Sequence, residues 1–316
     1  MVCGRVFRPR PSNSALLLLP SYLLNSMNDQ TRKTKAGDCL RLLAVLFMIG
    51  ITGCQRNDAI TIFAAASTID ALNEVIEEYQ DQYSGAESER PIIRTNFAAT
   101  STLGNMILNG AEADLFLAAD TDWANRIKLD DHLNVNCQNL LSNRLVLIAS
   151  RFVDLESVAI NQLSDLQSAT SLKRIAIGDP AHVPAGKYAK ALLEQADVWS
   201  SIESRIVAGT DVRHVLAMVQ QGAADVGIVY VSDLTGIDFG RDESVRLLLR
   251  LGTPDSKEQP PIVYSLIEFE NPQVTPQVER LLDFLTGERA ATIFARHGFG
   301  SLQHPEIVVE GSGSQW

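Results

Sequence analysis

From residue 59 to about residue 300, short apolar, β-branched runs alternate with stretches whose apolar residues recur at helical spacing. That alternation is the mark of a mainly parallel sheet covered by helices. Ala59–Phe63 is strand-like, and Ile69, Leu72, Val75, Ile76 and Tyr79 then follow one helical face, with Ser67 between them in the place of an N-cap. Arg174–Gly178 leads in the same way to a helix from Pro184, a residue suited to a first helical turn, with Tyr188, Ala191 and Leu192 sharing a face. Ile206-Val207 runs through Gly209-Thr210-Asp211 into a third helix, with Val215, Leu216 and Val219 on one side and Gly222 as its stop. Three helices are therefore expected to start directly after strands.

Two strongly strand-like runs, Leu145–Ala149 and Ile262–Ile267, bracket a stretch the size of a small lobe. Taken as crossings between lobes, they divide the body into a first lobe of residues 55–143 plus 264–306 and a second lobe of residues 144–263. Residues 307–316, with Gly311-Ser312-Gly313-Ser314, are expected to form a flexible tail. A single continuous doubly wound domain would give the same pattern. The chain of 316 residues is 46% hydrophobic and 21% charged, which supports real cores and excludes a disordered or collagen-like protein.

The first 53 residues differ from the rest. They carry seven Lys or Arg against two acidic residues, so the remainder holds a net charge near −16 against −11 for the whole chain. An acidic body of that size repels nucleic acid and anionic membrane surfaces at long range. It still permits a small anion in a pocket, because surface charge is screened over roughly 10 Å while pocket donors act at contact. Arg32, Lys33 and Lys35 precede an uncharged apolar run from Leu42 to Gly53, too short for a stable membrane span of about 20 residues. Residues 1–53 are expected to be a leader with a signal peptide, with Met27 as the true start. Ile51-Thr52-Gly53-Cys54 resembles a lipobox, which would leave Cys54 as a lipidated N-terminus; an uncleaved anchor is the alternative. Once Cys3, Cys39 and Cys54 are accounted for, Cys137 stands alone, without a disulfide partner, and is expected to be a small buried apolar residue.

The loops after the strands carry the chemistry, since ligands of open α/β folds gather at the carboxyl ends of strands and helix N-termini present unpaired N–H groups to anions. Phe63–Ser67 and Phe97–Thr102 are turns of small and hydroxyl residues, and capping alone would explain either composition. Gly178–Tyr188 ends in Gly-Lys after a strand, yet it fails as a phosphate loop: Ala181 stands where the first Gly is needed, and Tyr188 replaces the metal-binding hydroxyl. His182 has no identifiable catalytic partner, and the histidines form no metal-binding pattern.

Six segments together, FAAAS at Phe63–Ser67, FAATSTL at Phe97–Leu103, ADLFLAAD at Ala113–Asp120, GDPAHVPAGKYA at Gly178–Ala189, DVR at Asp211–Arg213 and GIVYVSD at Gly227–Asp233, resemble the periplasmic molybdate-binding proteins in order and spacing. The resemblance implies an α/β, two-lobed periplasmic binding protein fold of type II, with the ligand cleft between lobes joined by two crossing strands. It implies capture of molybdate or tungstate for delivery to an ABC permease, with no cofactor, no enzymatic activity, no protein ligand to the metal of the anion, and a monomeric state. Carried over by motif position, the anion-binding groups are the hydroxyls of Ser67 and Thr100, the backbone N–H groups of Ala185 and Val212, and the phenol of Tyr230. Thr100 stands where many of these proteins have Ser, and neighbouring Ser101 is an alternative source of that hydroxyl.

A fully deprotonated tetrahedral dianion only accepts hydrogen bonds, so a dry cage of donors matches it and rejects monohydrogen phosphate, whose proton needs an acceptor. Sulfate must be excluded by cavity size. Two readings compete: a receptor for sulfate or another oxyanion on the same fold, and a secreted hydrolase using His182 and a loop serine, for which the sequence offers no nucleophile elbow. An anion sensor without a transport role is a third.

Overall fold

The computed structural model describes residues 59–83, 90–154, 159–235, 237, 244–251, 262–270 and 276–307. Met27, Cys54 and the tail from residue 308 lie outside the described residues. The strands form two sheets. The first contains β1 (Ile60–Ala65), β2 (Ile93–Ala98), β3 (Leu115–Ala118), β4 (Val135–Asn143), β10 (Ile262–Phe269) and β11 (Gly300–Ser301), in the order β11-β4-β10-β3-β1-β2. The second contains β5 (Leu145–Ser150), β6 (Ile175–Gly178), β7 (Ile206–Gly209), β8 (Val226–Tyr230) and β9 (Val245–Leu251), in the order β7-β6-β8-β5-β9. The chain passes from the first sheet to the second at Arg144, between β4 and β5, and is back in the first by Ile262.

Neither sheet is mainly parallel. Parallel pairing is confined to β1 with β2 and β3, and to β6 with β7 and β8. The strands at and beyond the crossings, β5, β10 and β4, pair antiparallel. Their sequences hid this because β5 is buried along its whole length. A strand covered on both faces is apolar throughout, whichever way its neighbours run.

In the first sheet the two-residue period sorts side chains between two apolar layers. Ile60, Ile62 and Ala64 of β1 and Leu115 and Leu117 of β3 face the main core, whereas Phe63, Phe116 and Ala118 face a second cluster. Helix α1 (Ile69–Asp81) covers the main side with Ala71, Leu72, Val75, Ile76 and Tyr79. Helices α2 (Thr100–Leu108) and α3 (Thr121–Lys128) cover the other through Leu103, Ile107, Ala124 and Ile127. A short helix α4 (Asp165–Ser168) precedes β6. The second sheet carries α5 (Pro184–Gln195), α6 (Trp199–Ile202) and α7 (Val212–Gln220). The C-terminal helices α8 (Pro276–Thr286) and α9 (Glu288–Arg296) pack back on the first lobe beside α1.

Three local expectations change. The inward face of α5 is Ala185, Ala189 and Leu193, one residue round from the expected face, on which Ala191 is exposed. Ser67 is not a helix cap but lies in a 3-10 turn, Ala66–Thr68, between β1 and α1. Cys137 is exposed, because the first half of β4 is poorly covered, with Asn136, Cys137 and Asn139 all exposed; partial burial still raises its thiol pKa. Gly222 ends α7 as expected, in the left-handed region at φ +70°.

Candidate functional site

Six segments meet between the lobes. In the first lobe, the ends of β1, β2 and β3 deliver Ser67, Thr100 and Ala119. In the second, the starts of α5 and α7 and the last residue of β8 deliver Ala185, Val212 and Tyr230. These six line one small cavity together with Ala65, Ala66, Ala99, Val183 and Pro184. All five residues singled out from the sequence are in that lining and are almost fully buried; Ser101 is buried too but does not line it.

Close backbone packing builds the second-lobe wall. The first turn of α5 is seated directly on the end of β6, where a Cβ on Gly186 would lie 2.0 Å from the carbonyl oxygen of Gly178. Pro184 has no N–H, so the N–H groups of Ala185 and Gly186 are the first that α5 offers, and neither has an intrahelical acceptor. At α7, the Asp211 side chain accepts the N–H of His214 at 2.9 Å, and Val212 occupies the first helical position beside the cavity. Two helix starts thus aim the positive ends of their dipoles at one space.

The two hydroxyls are held by partners distant in sequence. Ser67 Oγ is 2.8 Å from Tyr264 Oη, and Asn143 Nδ2 donates to that phenol at 3.1 Å and to Ser232 Oγ at 2.8 Å. Thr100 Oγ1 accepts the N–H of Ala119 at 3.0 Å. Tyr230 Oη, by contrast, is buried with no hydrogen-bond partner among the described residues. Burial, with nearby Tyr264, Tyr188 and carboxylates, holds its pKa well above the usual tyrosine value, so it is a proton donor at any physiological pH.

Among the described residues no charged side chain lines the cavity, but two cross-lobe ion pairs flank it. Lys187 Nζ on α5 meets Asp120 Oδ2 at 3.2 Å, and Asp120 also caps α3 by accepting the N–H of Asp122 at 2.8 Å. Arg213 on α7 reaches Asp70 of α1 at 2.5 Å. Its Nε also lies 2.9 Å from Asp233 Oδ1, a Coulombic contact in which the N–H is not aimed at the oxygen. Asp233 Oδ2 accepts the N–H of Tyr230 at 2.9 Å. Burial pushes the Asp233 carboxyl up to about 7, against the opposing pull of Arg213 and the Tyr230 N–H. Local motif reading gave no role to these pairs, or to Tyr264 and Asn143, because every partner lies on another element.

The space suits a compact acceptor. Its lining offers hydroxyls, helix-start N–H groups and an unpaired phenol, and its flanking cations are already neutralised. His182, the catalytic alternative, is exposed on the turn before α5. Among the described residues no group of three or more His, Cys, Asp or Glu is arranged to hold a metal ion.

Comparison with known proteins agrees with this geometry. Residues 60–300 match the family described as bacterial extracellular solute-binding protein. A molybdate-binding protein of Escherichia coli is 31% identical over 257 residues, covering 81% of this chain and 94% of the relative. A Bacillus subtilis protein provisionally named a substrate-binding lipoprotein of an ABC transporter is 27% identical, covering 82% of this chain and 96% of its own. The solved structure of the periplasmic molybdate-binding protein of Azotobacter vinelandii superposes with a TM-score of 0.61 at 18% identity, covering 76% of this chain and 98% of that one, and shows the same two-lobed fold.

Proposed function

The chain belongs to the bacterial extracellular solute-binding protein family, whose members bind solutes rather than transform them, and from that membership we propose that it captures molybdate or tungstate outside the cytoplasm for an ABC permease. The observation that carries this reading is the phenol of Tyr230, buried without a partner among the described residues in a cavity that also presents the hydroxyls of Ser67 and Thr100 and two helix starts. A buried orphan donor costs about 1–3 kcal/mol, a penalty that a tetrahedral dianion would remove by accepting from it. In this reading Ser67, Thr100 and Tyr230 donate from side chains, and Ala185 and Val212 from backbone.

No cation is needed opposite the anion. Charge-assisted bonds are worth roughly 1.5–3 kcal/mol each, and several in a water-poor cage support submicromolar affinity after ordering costs. Lys187 and Arg213 are spent on Asp120 and Asp70, so they hold the lobes together across the cleft instead of offering a site for any anion. Closure about the two crossings would capture the anion, and a permease that opens the lobes would receive it.

The protein is further read as a monomer and as tethered by lipid on Cys54; the tether is supported by the lipobox-like Ile51–Cys54 and by the lipoprotein name of the Bacillus subtilis relative. Among the described residues no helix is long and apolar enough to cross a membrane. Radiolabelled palmitate should enter the wild type in cells and not Cys54→Ser; equal labelling would remove the anchor from the proposal.

Calorimetric titration of the purified protein with molybdate, tungstate, sulfate and phosphate tests the ligand. Saturable one-to-one binding of molybdate and tungstate, with sulfate weaker and phosphate weakest, is expected. Tighter binding of sulfate would make the protein a sulfate receptor, and silence toward all four would overturn the oxyanion reading.

A further inference from the structure

The hydroxyl of Ser67 can serve an anion only if its proton points into the cavity, and four buried groups behind it bear on that direction. The backbone N–H of Arg144 donates to Asn143 Oδ1 at 2.8 Å, which fixes the amide so that Nδ2 faces Ser232 Oγ and Tyr264 Oη. An amide nitrogen only donates, so the Tyr264 phenol accepts from it. The phenol's single proton then goes to its other neighbour, Ser67 Oγ, at 2.8 Å. Ser67 Oγ thereby accepts one hydrogen bond from behind and keeps its own proton for the cavity that the residue lines.

We propose that Asn143 and Tyr264 are positioning residues that turn the Ser67 proton toward the ligand, through a one-way chain running Arg144 N–H to Asn143, Asn143 to Tyr264, Tyr264 to Ser67 and Ser67 to the bound oxyanion. This rests on the oxyanion reading of the cavity. It also deepens that reading, because it places the discrimination between bare and protonated anions in residues that never touch the ligand. Thr100 is wired alike by a shorter route: the Ala119 N–H can only donate, so Thr100 Oγ1 accepts it and keeps its own proton for the cavity. With one lone pair of each hydroxyl taken from behind and its proton turned to the cavity, the cage favours a bare anion over monohydrogen phosphate, whose proton needs an acceptor.

The chain is anchored where the lobes join. Asn143 ends β4 next to the crossing at Arg144, Tyr264 lies on the returning strand β10, and Ser232 belongs to the second lobe. Tyr264 is fully buried, with its ring edge-on to Tyr230 at 6.1 Å and to Phe299 at 5.4 Å between centroids. A phenylalanine there keeps the ring contacts and removes the proton relay, and Asn143 Nδ2 retains Ser232 Oγ as its acceptor.

A double-mutant cycle with molybdate and phosphate as probes at pH 8, read by calorimetry, tests the wiring. Tyr264→Phe should weaken molybdate about tenfold while leaving phosphate unchanged or slightly tighter, since Ser67 regains freedom to accept. In a Ser67→Ala background the same substitution should change molybdate affinity by less than about twofold, because the chain acts only through that hydroxyl. Equal losses in both backgrounds, or a parallel loss for both anions, would show a merely structural tyrosine and overturn the proposal. Neutron diffraction of the deuterated wild type reads the same chain without any anion. A deuteron on Tyr264 Oη directed at Ser67 Oγ supports it, and a deuteron on Ser67 Oγ directed at Tyr264 refutes it. Failure of the wild type to bind any oxyanion would thus remove the proposed function while the neutron map still decided the wiring.

Discussion

Tyr230 behaves differently from the other lining residues, and that difference gives a test at the scale of one atom. Its phenol is buried and unpaired, so in the ligand-free protein the hydroxyl contributes a desolvation penalty and no bond. Tyr230→Phe should therefore leave the ligand-free melting temperature unchanged or raise it by roughly a few degrees, while cutting molybdate affinity by about tenfold or more. Differential scanning calorimetry with and without molybdate separates the two effects, and a fall in the ligand-free melting temperature would contradict the unpaired phenol. Ser67 and Thr100 are the opposite case, since their oxygens already have partners inside the protein. This is why their surroundings were illegible in the sequence. A hydroxyl before a helix has a local explanation as a cap, whereas the partners they actually use, Tyr264 and Ala119, stand 197 and 19 residues away. Only the likeness of six whole segments to the molybdate-binding proteins picked these residues out.

The elements explain what the sequence displayed and what it concealed. Helices α1 and α7 were legible because large side chains mark their inward faces at regular spacing: Leu72, Val75, Ile76 and Tyr79 in one, Val215, Leu216 and Val219 in the other. Helix α5 was misread by one residue because its buried face begins with Pro184, Ala185 and Gly186, whose small size gives no hydrophobic signal. Smallness is the requirement at that point. The α5 backbone reaches β6 so closely that a Gly186 Cβ would collide with the Gly178 carbonyl at 2.0 Å, and a Gly178 Cβ would meet Val183 at 2.7 Å. Gly186→Ala must push the start of α5 away from the strand. Overpacking of this kind costs typically about 1–3 kcal/mol, and it moves the Ala185 N–H out of the cavity. The expected result is a melting temperature lower by several degrees together with a loss of molybdate binding larger than that of Ser67→Ala. Retained affinity in a folded Gly186→Ala protein would show that the α5 start does not hold the anion.

At the scale of the whole molecule, the lobes meet around a small cavity flanked by charged pairs, and one buried carboxyl makes that arrangement sensitive to pH. Asp233, fully buried after β8, accepts the Tyr230 N–H and lies against Arg213, which itself reaches across to Asp70 of the first lobe. Asp70 and Asp211 add negative charge nearby, and burial outweighs the favourable contacts, so the carboxyl titrates at about 7 in place of its ordinary 3.8. The sign follows from linkage: between those values the folded protein holds a proton that the unfolded chain has released, so stability rises as pH falls from about 7 toward 4 and is lost as pH rises through 7. The acidic body adds repulsion of the same sign, since protonation lowers its negative charge. Asp233→Asn separates the two contributions: it keeps the side-chain shape and an oxygen for the Tyr230 N–H but cannot titrate. Melting temperatures measured from pH 8 to pH 5 should climb more steeply in the wild type than in Asp233→Asn, with the divergence setting in near 7 and growing toward pH 5. Parallel curves would place the pH dependence in the surface charge and return Asp233 to the role of a purely structural acceptor beneath Tyr230.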